Sequence, residues 1–467
     1  MTKPLRLPQF FGYAAGDAAN NLAFSMASMF LLIYYTDVVG ISAAAVGTLF
    51  LVVRLWDAVA DVFAGRLVDK TSTRWGKFRP FLLFGSLPLL LLSAAVFSVP
   101  GGLSDSGALV YAYVSYAIFG LAYSLVNIPY GSMATAMTQR PEERAKLATF
   151  RVFGSQLTIL MLALVVAPQI KGSHDLQQSL TTTVFVFAVI GFALYLVTFS
   201  TAKEQVQRDV PKVSARQTVD TLKQNKPLLM LCLSSLMFLT GMFALQTVAI
   251  YYARDVLGNA NYYIVITIVQ TAGTFLAAGF IPLAVRTFGK RQAYLAFGAV
   301  AITAGIALAL SPASAPGVAF VCFFVLGIGM GGVNTLMWAL EADTVEYGEW
   351  KTGIRTEGVT YALFSFTRKM GQAIGGAAAA YTIGFGGYVA QADVQPDSAV
   401  TAIKIAAGVV PAVVIAIAVA IMFVYPLTES RFRELVREVS QRRVARQVEA
   451  ARVASVVAPA TPPGAQR

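Results

Sequence analysis

The chain has 467 residues, of which 57% are hydrophobic and only 13% are charged, and its formal net charge is +12. Soluble globular proteins have about 25% charged residues, so this composition excludes a soluble protein and predicts one with many membrane spans. Cys232 and Cys322 lie in apolar runs, and the single histidine, His174, lies in a short polar loop. We therefore expect no disulfide, no metal centre and no cofactor.

Twelve apolar runs are long enough to cross a bilayer, which takes about 20 helical residues. Their predicted limits are 10–37, 42–65, 79–99, 107–137, 147–170, 178–200, 228–253, 261–285, 292–310, 316–341, 358–386 and 402–426. The longest polar break divides them six and six, which indicates a duplicated architecture. We predict an all-α protein with an N-terminal half at 1–200, a cytoplasmic middle loop at 201–226, a C-terminal half at 227–426 and a basic tail at 427–467.

The lysines and arginines fall almost entirely on one side of the predicted membrane. Thirty of the 36 lie in segments that share one side if the spans alternate, and three lie in segments on the other side. Arg54, Arg368 and Lys369 fall within spans. Because basic loops stay in the cytoplasm, this asymmetry predicts that both termini are cytoplasmic. It also accounts for the positive charge without a nucleic-acid partner.

Two basic segments indicate one internal repeat. The motif Gly65-Arg-Leu-Val-Asp-Lys70, continued by residues 74–77, follows the second span. The weaker motif Arg286-Thr-Phe-Gly-Lys-Arg291 follows the eighth span, its counterpart in the second half. After Pro426, apolar residues alternate with arginines, which fits either an amphipathic helix on the lipid of the inner leaflet or a solvated tail.

The second span carries charged residues at membrane depth. Arg54, Asp57 and Asp61 are spaced by three and four residues, which places them in one stripe on a helix. Charges inside a membrane are costly and usually face a water-filled path for ions or substrate. Two carboxylates beside one guanidinium therefore predict a cation site.

Further polar side chains fall on single faces of other spans and define a candidate substrate site. They are Asp17, Asn20 and Asn21 on span one, Tyr123, Asn127 and Tyr130 on span four, Arg151 on span five, Gln246 on span seven, Asn334 and Trp338 on span ten, and Lys369 on span eleven. An uncharged polar group in a span often only hydrogen-bonds a neighbouring helix, and that alternative stays open for each of them. A buried charge such as Asp17 or Lys369 needs a partner or a function.

Three classes of function fit a membrane protein with a polar interior: a transporter, a membrane enzyme and a sensor. Two halves with polar faces and ionisable groups at mid-depth favour the transporter. Asp57, Asp61 and Asp69 are loosely similar to the Asp-rich motif of lipid-head-group transferases, but their spacing and Val62 differ from it. We therefore predict that the protein is not an enzyme and keep a membrane enzyme as the remote alternative.

Several of these motifs also resemble a known family. They are Asp17, the pair Asp57 and Asp61, Arg74-Trp-Gly-Lys-Phe-Arg-Pro80, Asn127-Ile-Pro129 and Glu341-Ala-Asp-Thr-Val-Glu-Tyr-Gly-Glu349. They resemble the glycoside–pentoside–hexuronide:cation symporters, a melibiose-carrier-like family of the major facilitator superfamily. The segments 125–132 and 364–369 are similar to those of its bacterial glucuronide carriers. The resemblance covers about residues 12 to 428.

The resemblance implies a cation site formed by helices two and four. In the melibiose branch, this site uses the residues matching Asp57 and Asp61, together with an aspartate where this chain has Asn127. We place Ser124 in the same candidate set. The lysine that matches Lys369 lies beside the cation site in that branch.

The resemblance also implies a sugar site between the two halves. The residues matching Asp17 and Arg151 hold the sugar in the melibiose branch. That branch has aromatic residues where this chain has Gly131 and Asn334, and a carboxylate where it has Asn127. These departures predict a larger or different glycoside.

Together these observations predict a symporter of the bacterial inner membrane that moves a glucuronide or a related glycoside, in an oligomeric state that stays open. A sodium ion at Asp57 and Asp61 would lack the third carboxylate lost at Asn127, whereas a proton needs only a buried carboxylate with a like-charged neighbour. A proton is therefore the favoured coupling ion, and a sodium-coupled carrier of another oligosaccharide or pentoside is the alternative. Lys369 is the predicted partner of the sugar carboxylate, while Arg368, about 100° around the helix, is predicted to face a neighbouring helix.

Overall fold

The chain folds into long helices that pack along their lengths. The computed structural model describes residues 4–71, 73–138, 140–172, 175–205, 224–353, 357–392, 394–439 and 441–442. Within these residues the structure is all-helical and has no β-strand. Most of the predicted middle loop, at 206–223, and the tail from 443 onward lie outside the described residues, as does His174.

The long helices are numbered in chain order. They are α1 (Leu7–Ile33), α2 (Ala43–Lys70), α3 (Arg79–Val96, interrupted at Gly85), α4 (Asp105–Met137), α5 (Pro141–Val166), α6 (Leu176–Thr201), α7 (Lys226–Tyr251), α8 (Tyr262–Phe288), α9 (Lys290–Leu310), α10 (Pro316–Thr352), α11 (Glu357–Phe385) and α12 (Asp397–Phe423, with a π-helical turn at Ile405–Val409). A further helix covers residues 429–439. In the described part of the chain, ten of these helices are long and apolar enough to cross a membrane. The other two, α1 and α11, have 27 and 29 residues and carry more polar side chains.

Helix α10 extends well beyond its predicted end at residue 341. It continues to Thr352 and ends at Gly353, whose φ of 72° is the left-handed conformation that favours glycine. Hydropathy detects only the apolar part of a helix, whereas the helical backbone here continues through a polar segment. Glu341 and Asp343 therefore lie inside a helix and not at its end.

The predicted repeat corresponds to equivalent structures in the two halves. Gly76 precedes α3 with a φ of 108°, and Gly289 precedes α9 with a φ of 81°. The Glu204 carboxylate accepts hydrogen bonds from the backbone N–H groups of residues 77–79, at 2.9, 2.7 and 3.1 Å. In the second half, Glu429 occupies the matching place, where a Cβ added to Gly289 would lie 3.1 Å from the Glu429 Cβ.

A second internal repeat escaped the sequence prediction. Residues 33–40 read Ile-Tyr-Tyr-Thr-Asp-Val-Val-Gly, and residues 250–258 read Ile-Tyr-Tyr-Ala-Arg-Asp-Val-Leu-Gly. Both pass through a π-helical turn, at Tyr34–Val38 and Tyr252–Val256, and both end at a glycine with positive φ. The extra residue in the second copy breaks the alignment of the two stretches, so the pattern is hard to detect without the turns.

The two halves meet along α2 and α11. A Cβ added at Gly47 of α2 would lie 3.3 Å from the Ala377 carbonyl oxygen, and Thr48 Oγ1 lies 2.7 Å from Tyr381 Oη. We call the end of the bundle where α1 finishes and α2 begins the far end, and the end where α2 finishes the basic end. The contacts between α2 and α11 thus run from the far end toward the middle of the bundle.

Close helix crossings within the second half depend on glycine. A Cβ at Gly273 of α8 would lie 2.2 Å from the Phe324 carbonyl oxygen of α10, whereas a Cβ at Gly279 would meet nothing within 4 Å. We expect Gly273→Ala to destabilise the protein by about 1–3 kcal/mol through overpacking. Gly279→Ala, on the same helix, should be neutral or stabilising because alanine favours helix. Thermal unfolding of both variants in detergent checks this, and equal midpoints would contradict it.

Candidate functional site

Asp57 of α2 is buried and only half satisfied. Its Oδ2 accepts a hydrogen bond from Arg54 Nη1 at 3.2 Å, so Arg54, about one turn away in the same stripe, is its ion-pair partner. Its Oδ1 is buried and has no hydrogen-bond partner among the described residues. Helix α4 comes close at this point, because a Cβ at Gly120 would lie 2.0 Å from Asp57 Oδ1. A buried carboxylate oxygen without a donor is a natural place for a cation or a proton.

Asp61 joins three helices from both halves. Ser124 Oγ of α4 donates to Asp61 Oδ1 at 2.7 Å, and Lys369 Nζ of α11 forms an ion pair with Asp61 Oδ2. Asn127, one turn beyond Ser124, is half-buried, and no hydrogen bond of its side chain is found within the described ranges. The structure thus brings Asp57, Asp61 and Ser124 together where α2 meets α4, and it directs the Lys369 ammonium to a carboxylate of the protein.

Asp17 of α1 forms the second charged centre. Arg151 Nε of α5 donates to Asp17 Oδ1 at 2.7 Å, and Asn21 Nδ2 donates to Asp17 Oδ2 at 3.1 Å. The Asp17 side chain is 6% exposed, while that of Arg151 is 42% exposed. The two residues that the family resemblance assigned to the sugar are thus paired directly with each other. The guanidinium keeps accessible N–H groups that a sugar hydroxyl or carboxylate can accept from.

Two of the predicted substrate residues serve helix packing. Tyr195 Oη of α6 donates to Asn20 Oδ1 at 2.8 Å, so this part of the Asn20 side chain is taken up by a neighbouring helix. Tyr130 is fully buried and donates to the Tyr13 carbonyl at 2.7 Å while its ring stacks on Tyr13. These contacts match the alternative that the sequence left open. Asn20 Nδ2 is buried and has no hydrogen-bond partner among the described residues. Direct binding of substrate by Asn20 and Tyr130 therefore stays a prediction.

Tyr123 and Gln246 lie near the contact between the halves. The Tyr123 ring stacks on Phe24 of α1, with ring centroids 5.3 Å apart, and Phe24 meets Phe243 of α7 at 6.3 Å. Gln246, half-buried, lies nearly one turn after Phe243 on α7. Arg54 lies 5.5 Å from the Phe24 ring, which connects this aromatic cluster to Asp57.

Asn334 and Trp338 of α10 are held by an arginine that the sequence assigned no site role. Arg368 Nη2 donates to Asn334 Oδ1 at 2.9 Å, and its guanidinium lies 4.8 Å from the Trp338 ring. Trp338 also stacks on Tyr361 of α11, with ring centroids 5.8 Å apart. Arg368 does face a neighbouring helix as predicted, and that helix carries two of the candidate substrate residues.

A charged cluster at the far end was missed by the sequence prediction. Arg254 Nη1 donates to Asp37 Oδ1 at 2.9 Å, and Tyr388 Oη donates to both oxygens of Asp37, at 2.8 and 2.9 Å. Asp37 belongs to the first half, while Arg254 and Tyr388 belong to the second. We call these three residues the far-end lock. The second internal repeat was the sequence signal that could have revealed this cluster, because Asp37 and Arg254 lie in its two equivalent π-helical turns.

The described residues contain no group of three or more histidine, cysteine, aspartate and glutamate side chains arranged to hold a metal ion. Cys232 and Cys322 are free and buried. The functional groups at the candidate site are instead ion pairs of acidic and basic side chains, hydroxyl and amide groups, and aromatic rings. Such a set can bind a polar organic molecule and a small cation, as in transporters with polar cores.

Comparisons with known proteins identify the family. The sequence profile of the family described as "MFS/sugar transport protein" matches residues 12–429. The chain is 45% identical over 452 residues to the "Glucuronide carrier protein homolog" of Escherichia coli (strain K12), covering 96% of this chain and 98% of the relative. It is 34% identical over 401 residues to the "Isoprimeverose transporter" of Lactiplantibacillus pentosus, covering 84% of this chain and 83% of the relative.

The fold agrees with this membership. The crystal structure of the nucleoside transporter NupG superimposes with a TM-score of 0.65 at 14% identity, covering 90% of this chain and 100% of that structure. The relatives and the fold are those of transporters and not of enzymes, so the membrane-enzyme alternative is excluded. The protein is a multi-pass protein of the bacterial inner membrane. The chain belongs to the MFS/sugar transport protein family of the major facilitator superfamily.

Proposed function

We propose that the protein is a symporter that moves a glucuronide or a closely related glycoside together with a proton. The proposal includes twelve spans, two six-helix halves and cytoplasmic termini at the basic end. Support for the substrate comes from the 45% identity to a glucuronide carrier homolog over nearly the whole chain. Support for the arrangement comes from equivalent glycine turns before α3 and α9.

The observation that carries the coupling is the pairing of Asp61 with Lys369 across the two halves. Asp61 also accepts from Ser124, so the carboxylate ties α2, α4 and α11 together. A cation or proton that reaches Asp61 competes with the Lys369 ammonium for the same charge. Its arrival would therefore weaken a contact between the halves, which links ion binding to their relative movement.

A proton fits this site better than sodium. Sodium needs several oxygen ligands, and the Asp57 and Asp61 oxygens that have partners are already taken by Arg54, Ser124 and Lys369. The third position of the candidate cation set is Asn127, which supplies no negative charge. The free Asp57 Oδ1 is closely covered by the backbone at Gly120, which leaves room for a proton more readily than for an ion with its ligands.

The candidate substrate site would be reached alternately from the two membrane faces. In this structure the far-end lock joins the halves, whereas Arg151 remains 42% exposed. We propose that this state is closed at the far end. The sugar would then reach the pair of Asp17 and Arg151 from the basic end. Rocking of the halves would then require the lock to open.

Uptake into proteoliposomes of purified protein tests the proposal. A panel of a β-glucuronide, the matching β-glucoside and a xylose-containing disaccharide is offered under an imposed proton gradient or an imposed sodium gradient. We expect uptake of the glucuronide above its equilibrium level with the proton gradient, and collapse of that uptake by a protonophore. Accumulation driven by the sodium gradient at constant pH would show that sodium, and not the proton, is the coupling ion. Accumulation of the disaccharide but not of the glucuronide would favour the oligosaccharide alternative.

A further inference from the structure

Arg368 differs from the other cations that lie between the helices near the candidate site. Arg54 pairs with Asp57, Arg151 with Asp17, and Lys369 with Asp61. Arg368 forms no ion pair with any carboxylate in the described ranges of the chain. Its polar contacts are with neutral groups: Asn334 Oδ1 at 2.9 Å, and Met337 Sδ at 3.8 Å. A guanidinium carries five N–H donors, so most of its hydrogen-bonding capacity is left for another acceptor.

Aromatic rings hold this guanidinium in place without neutralising it. Arg368 lies 4.8 Å from the centre of the Trp338 ring and 5.6 Å from that of Phe364. Such contacts attract a cation and fix its plane. They supply no counter-charge, and a permanently charged group at this depth calls for an anion. A planar fork of donors fits a carboxylate with two parallel hydrogen bonds.

An aromatic wall lies beside the guanidinium. Trp338 is 38% exposed and Tyr361 is 50% exposed, and their rings stack at 29° to each other. Ligand sites combine such apolar faces with a few fixed polar groups that set orientation. A sugar ring that carries a carboxylate offers both an apolar face for the wall and an anion for the guanidinium.

We propose that Arg368 binds the carboxylate of the sugar substrate, with Asn334 orienting the guanidinium and with Trp338 and Tyr361 lying against the sugar ring. This inference rests on the proposed function. It replaces the prediction that Lys369 takes the carboxylate, because the Lys369 ammonium is held by Asp61. Arg368 is then a specificity-determining residue for anionic over neutral glycosides.

Binding to purified protein tests this assignment with a matched pair of ligands, 4-nitrophenyl β-D-glucuronide and 4-nitrophenyl β-D-glucoside. Loss of a hydrogen-bonded charge pair is expected to raise Kd about ten- to a hundredfold. Arg368→Gln should therefore weaken glucuronide binding by about that factor and change glucoside binding by less than about twofold. Arg368→Lys should recover only part of the loss because a single ammonium replaces the planar fork.

A second variant tests the role without removing the arginine. Asn334→Asp gives Arg368 a carboxylate within the protein, which should also abolish the preference for the glucuronide. Thermal unfolding midpoints of both variants serve as the folding control. Equal loss of both ligands, or an unchanged glucuronide Kd in Arg368→Gln, would overturn the assignment. If the unaltered protein binds neither sugar, the proposed function fails with it, and if it binds both sugars equally, only the role of Arg368 fails.

Discussion

Asp61→Asn is expected to abolish accumulation of the sugar against its gradient while exchange of sugar across the membrane survives. The carboxylate accepts from Ser124 at 2.7 Å and pairs with Lys369 across the halves. An asparagine keeps the shape and the hydrogen bond to Ser124, but it neither takes up a proton nor attracts a cation. The sugar site would then move between the membrane faces without a coupled ion, so only downhill movement remains.

Three comparisons make this result specific. Asp57→Asn should give the same loss, because its free Oδ1 is the other candidate position for the coupling ion. Asp61→Asn combined with Lys369→Gln removes both charges of the pair. If this variant still exchanges sugar but does not accumulate it, an unpaired lysine is not the cause of the lost accumulation. Asp105→Asn, at the exposed start of α4, serves as the neutral control. Full accumulation by both Asp57→Asn and Asp61→Asn would remove these residues from the coupling site.

Asp37→Asn is expected to lower transport by at least about tenfold by opening the far-end lock. Removing one partner of a buried ion pair typically costs about 3–5 kcal/mol when the other charge is left unpaired. Arg254 keeps its pair with Asp255, so we expect a cost below that range. That cost falls only on the state in which the halves meet at the far end. A carrier that cannot populate this state cannot complete its cycle.

The chain offers a matched control for this prediction. Asp255 also accepts two hydrogen bonds from Arg254, both at 2.8 Å, but it belongs to the same half as that arginine. Asp255→Asn therefore loses charge at the same guanidinium and keeps the contact between halves. We expect it to reduce transport less than Asp37→Asn does. Equal effects of the two substitutions would indicate that transport depends on the negative charge around Arg254 and not on the contact between the halves. The lock would then not be a gate.

Chemical accessibility provides a direct measure of the lock. Thr247 of α7 is buried, and both it and Phe50 of α2 lie within 4 Å of where a Cβ at Gly376 would be. A Thr247→Cys reporter should react slowly with a membrane-impermeant thiol reagent added from the far side. In the Asp37→Asn background it should react at least about tenfold faster. An unchanged rate would show that other contacts hold the far end closed.

The sequence by itself determined the helices, their approximate limits and the family. Long apolar runs are sufficient for this, because in lipid each backbone polar group must be satisfied within its own helix. The sequence also indicated the acidic stripe of α2, because the spacing of Arg54, Asp57 and Asp61 is local to one helix. The helix limits predicted from the sequence are wrong where a helix continues beyond its apolar part, as α10 does to Thr352.

Only the tertiary structure decided which charges on different helices meet, because each such pair joins residues far apart in the chain. Lys369 pairs with Asp61, and Arg254 pairs with Asp37. Arg368, one residue before Lys369, turns about 100° around the helix toward α10 and is left without a carboxylate among the described residues. Periodicity assigns a residue to a face of its own helix, but the neighbour on that face depends on how the helices pack. The different roles of the adjacent residues Arg368 and Lys369 can therefore be recognised only from the packing of α11 against α2 and α10.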